Sequence, residues 1–200
     1  MSKLTNQRRT QKQRRGRGRN GPTGRVSMVI GAVAVVAVAL VLWGVRASAS
    51  GGPPDFSMIA YQGQDVLGGE ESTLRSLVGN GTPVVLNFWA SSCPPCREEM
   101  PGFQRVHDEL GDEFLMLGVD IGPFVRLGTH AGARAFLSEY GISYPAAYAT
   151  SDDPVRDYEV RGMPTTLFFD GSGEIVNKHT GFMPEGQFRR ELQALIATTE

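Results

Sequence analysis

Seven residues from Pro83 to Trp89 read Pro-Val-Val-Leu-Asn-Phe-Trp, and four residues later comes Cys93-Pro94-Pro95-Cys96. An almost unbroken apolar run of β-formers cannot alternate between core and water. It predicts a strand buried on both faces, at the centre of a sheet covered on each side. Pro95 through Leu110 then reads as a helix that contains Pro101, where a kink is expected. The two cysteines therefore fall where a buried strand hands over to a helix.

The rest of the C-terminal three quarters fits around that strand. Ser57–Tyr61 predicts a short strand, 65–69 a turn and 72–77 a short helix. Phe114–Asp120 predicts a second buried strand. Ala131–Tyr140 predicts a helix stopped by Gly141. Thr165–Asp170 and Ile175–His179 predict two strands joined by a hairpin turn at Asp170-Gly171-Ser172-Gly173. Glu185–Ala197 predicts a closing amphipathic helix with Phe188, Leu192, Leu195 and Ile196 on one side. Short strands mixed with helices indicate an α/β sandwich around a central mixed sheet. No internal repeat is evident.

The N-terminal quarter is of another kind. Residues 1–25 hold nine Lys or Arg and no acid, leaving 11 basic and 21 acidic side chains for the remainder. The net charge of −1 thus hides a basic tail and an acidic domain. Residues 26–45 carry no charge and lie between Arg25 and Arg46. As a helix this run spans about 30 Å, one hydrocarbon core. A charge-free run beside a basic block predicts a transmembrane signal-anchor with the tail in the cytoplasm and residues 46–200 outside it. The basic tail reads as a topology signal rather than a nucleic-acid site. Ala47-Ser48-Ala49 also resembles a cleavage site, but signal-peptide apolar regions run about 7–15 residues, so an uncleaved anchor is the preferred reading. Residues 46–54 read as a flexible linker, and 55–200 as the folded domain.

Two cysteines three apart close too small a loop to staple a fold, and reversible redox chemistry explains the pair better. Thiolate is the reactive species in disulfide exchange. At a helix N-terminus, free N–H groups and the macrodipole stabilise an anion. Cys93, nearest that end, is expected to be exposed and to have a lowered pKa. Cys96, a turn further in, is expected to be more buried and placed to attack a mixed disulfide formed at Cys93. Metal binding competes for such a pair, but no second pair exists, and His107, His130 and His179 show no ligand spacing. No metal or cofactor is expected.

These strings resemble the thioredoxin superfamily, in particular the TlpA-like and ResA-like membrane-tethered thiol–disulfide oxidoreductases. The likeness covers roughly residues 53–197, through VVLNFWASSCPPCREEMP (84–101), LGVDI (117–121), FLSEYGISYP (136–145), VRGMPTTLFFDGSGEIV (160–176) and the closing helix. It implies a thioredoxin-like fold in which Cys93 attacks and Cys96 resolves. It implies that Met163-Pro164 is a cis peptide bond facing the disulfide and contacting substrate. It implies that Glu99, three residues after Cys96, lies near the thiols, where a raised pKa would let it exchange protons with Cys96. Asn87 stands where many thioredoxins bury an aspartate. Ser92 replaces the tryptophan usual before the first cysteine, which leaves a smaller and more polar rim.

The activity so implied is an extracytoplasmic dithiol reductase. Its partners would be protein thiols and disulfides, among them the haem-attachment cysteines of apocytochrome c in cytochrome c maturation, with a membrane thiol electron donor. Alternatives on the same scaffold are a general disulfide oxidase or repair protein, and a metal-delivery module. The isolated cysteine arrangement of a peroxidase is absent.

Overall fold

A computed structural model describes residues 52–198. The basic tail (1–25), the apolar run (26–45) and most of the linker (46–51) lie outside the described residues. No helix among the described residues is long and apolar enough to cross a membrane.

Among the described residues, seven strands form one mixed sheet: β1 (Ser57–Gln62), β2 (Glu71–Thr73), β3 (Val84–Trp89), β4 (Leu115–Asp120), β5 (Ala146–Ala149), β6 (Thr165–Phe169) and β7 (Ile175–Thr180). Their spatial order is β2-β1-β5-β4-β3-β6-β7. The central pairs β3–β4 and β4–β5 are parallel, and the outer pairs are antiparallel. The helices are α1 (Gln64–Leu67), α2 (Pro94–Leu110), α3 (Gly122–Val125), α4 (His130–Glu139), α5 (Asp153–Asp157) and α6 (Glu185–Ala197), with a 3₁₀ turn at Leu74–Ser76.

The strand expected over Pro83–Trp89 forms as β3 and begins at Val84. Every residue of β3 is buried, and its alternation builds two cores. Val84, Leu86 and Phe88 face one core with Leu67, Leu74 and Tyr158. Val85 and Trp89 face the other, with Met100 and Phe103 of α2, Phe136 of α4 and Phe188 of α6. Asn87 shares this second face by strand period, so a polar side chain points toward α2. Phe103 and Phe188 stack with centroids 4.1 Å apart and join α2 to α6.

Several expectations need correction. Residues 72–77 divide into β2 and a 3₁₀ turn, because the segment at 71–73 pairs with β1 along its edge. The turn expected at 65–69 overlaps the single-turn α1, Gln64–Leu67. Helix α2 begins at Pro94 rather than Pro95, with both prolines in its first turn where no N–H is needed. It runs on through Pro101. Strand β5 and helices α3 and α5 were not anticipated. β5 reads Ala-Ala-Tyr-Ala, without the branched residues that signal a strand, and its place between β1 and β4 is fixed by pairing alone.

Candidate active site

Cys93 is the N-cap of α2 in extended conformation, and its Sγ accepts the Cys96 amide at 3.3 Å. The two cysteines form a disulfide with Cα atoms 5.3 Å apart. An N–H directed at Sγ is the local feature that favours a thiolate there once the bond is reduced.

The expected exposure of Cys93 is corrected. Cys93 is 2% exposed, little different from Cys96 at 0%. The connection after β4 lies across the helix start. Ser92 N donates to Leu127 O at 2.7 Å, and Leu127 and Met163 pack on the core cluster that includes both cysteines. Ser92 itself is exposed, so the residue next to Cys93 meets solvent while the sulfur is covered.

Glu99 follows Cys96 by three residues, on the same face of α2, and is 2% exposed. Its Oε1 accepts Asn87 Nδ2 at 2.8 Å and its Oε2 accepts the Met183 amide at 2.9 Å. Burial pushes its pKa up to about 8, against the opposing pull of the Met183 and Asn87 donors. The carboxyl therefore changes charge close to neutral pH, as a proton-exchanging group needs to do. Asn87 Nδ2 also donates to Thr166 Oγ1 at 3.0 Å, which fixes the amide's orientation.

The Met163–Pro164 bond is cis. Pro164 O accepts the Gly181 amide at 2.8 Å, and the same 181–183 segment delivers the Met183 amide to Glu99. The proline connection and the carboxylate are thus tied to one piece of chain. Met163 is half-buried against both cores.

Three contributors had no signal in the sequence. The Met183 amide is a backbone group 84 residues from Glu99. Tyr144 is fully buried, and its hydroxyl is held protonated by burial and then by the charge of Glu99. Arg97 ties the first turn of α2 to its surroundings. It donates to Ser91 O and to the Tyr140 hydroxyl, both at 3.1 Å, and lies 4.9 Å over the rings of Phe136 and Tyr140.

A buried dithiol pair at a helix start, with a titratable carboxyl one turn further along, defines a thioredoxin-like thiol–disulfide oxidoreductase. Comparison with known proteins agrees. The chain belongs to the AhpC/TSA family, whose model matches residues 53–178. It is 36% identical over 130 residues to the thiol-disulfide oxidoreductase ResA of Halalkalibacterium halodurans, covering 65% of this chain and 70% of that one. It is 32% identical over 139 residues to the thioredoxin-like protein YneN of Bacillus subtilis, covering 70% and 75%. Among solved structures, the exposed lipoprotein thioredoxin Etrx1 of Streptococcus pneumoniae superposes with a TM-score of 0.57 at 27% identity, covering 71% of this chain and 100% of that one.

Proposed function

We propose that the protein is an extracytoplasmic dithiol reductase, anchored by residues 26–45 and acting on protein disulfides close to the membrane surface. The observation that carries this reading is the Cys93–Cys96 disulfide at the head of α2, with the titratable Glu99 on the same helix face. In the reduced enzyme, the Cys93 thiolate attacks one sulfur of a target disulfide. The target's S–S bond breaks, a Cys93 mixed disulfide forms, and the leaving thiolate takes a proton. The Glu99 carboxylate accepts the Cys96 thiol proton. Cys96 then attacks Cys93 Sγ, releasing the second target thiolate and forming the internal disulfide. Two electrons pass to the substrate, and a membrane thiol donor returns them. Met163 and Pro164 supply the surface against which the substrate backbone lies.

The haem-attachment cysteines of apocytochrome c are the proposed target class. The ResA-type relatives support the exchange chemistry, and the charge-free run supports the location. The test is the reduction potential of the Cys93–Cys96 couple, with reduction of an oxidised Cys-x-x-Cys-His peptide followed in parallel. A potential near that of thioredoxin, about −270 mV, with peptide reduction, is expected. A potential near about −120 mV, as in a strong periplasmic oxidant, would make the protein an oxidase instead.

A further inference from the structure

Asp120 is a second buried carboxylate, and the exchange chemistry above does not use it. It ends β4 and is 1% exposed. Its Oδ1 accepts the Gly122 amide at 2.8 Å, and its Oδ2 accepts the Tyr61 hydroxyl at 2.8 Å. The single hydroxyl proton of Tyr61 is committed to Asp120, so the Tyr61 oxygen is the acceptor for His130 Nδ1, 2.8 Å away. His130 is thereby held with its proton on Nδ1 and a lone pair on Nε2. Its side chain is 40% exposed, so that lone pair has access to solvent protons.

The hydrogen bonds continue from Asp120 toward the cysteines. Leu127 N donates to Gly122 O at 2.9 Å, and Ser92 N donates to Leu127 O at 2.7 Å. Ser92 precedes Cys93. The same connection is pressed against the cysteine loop: a Cβ on Gly128, whose φ is +147°, would lie 2.1 Å from Ser91 Oγ. A bonded path therefore runs from an exposed imidazole through Tyr61, Asp120, Gly122 and Leu127 to the residue beside Cys93.

We propose that Tyr61, Asp120 and His130 form a proton-linked positioning element for Cys93, in which protonation of His130 tightens the 122–129 connection against Ser91 and Ser92. The proposal rests on the reading of Cys93 as the attacking sulfur. An imidazolium would stand 3.6 Å from Asp120 Oδ2, where low dielectric strengthens the attraction. The other titratable or charged groups facing the imidazole or its bridge are Tyr148 of β5, whose ring centroid is 4.2 Å from that of His130, and Arg134 of α4, 4.9 Å over the Tyr61 ring. Proton uptake at His130 would supply a cation next to the buried Asp120, and the bonded path is the route proposed for its effect on Ser92.

Two readouts test this on the folded protein: the Ser92 amide resonance, and the rate at which dithiothreitol reduces the Cys93–Cys96 disulfide, both followed against pH. In the wild type, the Ser92 resonance is expected to move with the His130 imidazole signals. Divided by the thiolate fraction of dithiothreitol, the reduction rate should change by about fivefold across that step, the equivalent of one net hydrogen bond. His130→Gln and Tyr61→Phe should abolish both changes. His130 is partly exposed, so its variant keeps the test open where Tyr61→Phe unfolds. A Ser92 resonance that ignores His130, or a rate step that survives His130→Gln, would overturn the proposal. The Ser92 readout does not depend on which sulfur attacks, so a failed positioning element and a wrongly assigned nucleophile give different results.

Discussion

Glu99 and Asp120 lie on the same side of the sheet, are equally buried, and are surrounded differently. Glu99 receives two neutral donors, the Asn87 amide and the Met183 N–H. Asp120 also receives two, the Gly122 N–H and the Tyr61 hydroxyl, but Tyr61 leads on to an exposed imidazole. Burial raises both pKa values, and the local donors oppose it in each case. What separates the two groups is the route to water. Glu99 is enclosed, and both of its hydrogen-bond donors, on Asn87 and Met183, are themselves buried. Asp120 is linked to a group that solvent can protonate. Burial alone therefore does not assign a carboxyl its role; the chain of partners beyond the first hydrogen bond does.

The largest effect that would sharpen this contrast is on stability. Folding raises the Glu99 pKa from 4.5 to about 8. Between those values the folded protein keeps a proton that the unfolded chain has released. The Glu99 contribution is complete below about pH 4.5 and is lost as pH rises through about 8, a loss on the order of 5 kcal/mol. Denaturant unfolding across this window should show the decline in the wild type and a flatter profile in Glu99→Gln. An unchanged slope in the variant would break the contrast. Next in size is Asp120→Asn. Its amide can accept one of the two donors but presents N–H to the other, so a cost of about 1–3 kcal/mol is expected, measured by the same unfolding.

Asn87→Ala should cost about 1 kcal/mol. It should also move the Glu99 titration upward, since one of the two donors opposing burial is removed. Carbonyl-carbon NMR of Glu99 reads the direction. Tyr144→Phe is expected to be smallest. The Tyr144 hydroxyl is buried and has no hydrogen-bond partner among the described residues, so its removal should be neutral or stabilising by up to about 1 kcal/mol in thermal unfolding.

The residues that announced themselves in sequence did so through local pattern. The apolar β3 run, the two cysteines at a helix start, Gly141 ending α4 and the amphipathic α6 each act within a few neighbours. Gly141 indeed takes a positive φ of 64°. Glu99 was singled out by the resemblance of its segment to the TlpA-like proteins rather than by local pattern. The Asp120 cluster was not, because Tyr61 and His130 approach Asp120 only through the pairing of β1, β5 and β4 and the packing of α4. The cover over Cys93 escaped for the same reason. A helix N-terminus suggests an open sulfur, whereas the burial of Cys93 and the bond from Ser92 to Leu127 are set by tertiary contact. Asn87 was noted as unable to accept a proton, but its service as a donor to Glu99 needed the β3–α2 geometry.

The division of labour between the two sulfurs is the central claim, and trapping tests it most directly. Cys96→Ala and Cys93→Ala would each be mixed in reduced form with an oxidised Cys-x-x-Cys-His peptide, and the covalent adducts mapped by mass spectrometry. A mixed disulfide through Cys93 is expected as the dominant adduct in Cys96→Ala, with little adduct in Cys93→Ala. Equal or greater trapping through Cys96, or no adduct at either sulfur, would contradict it.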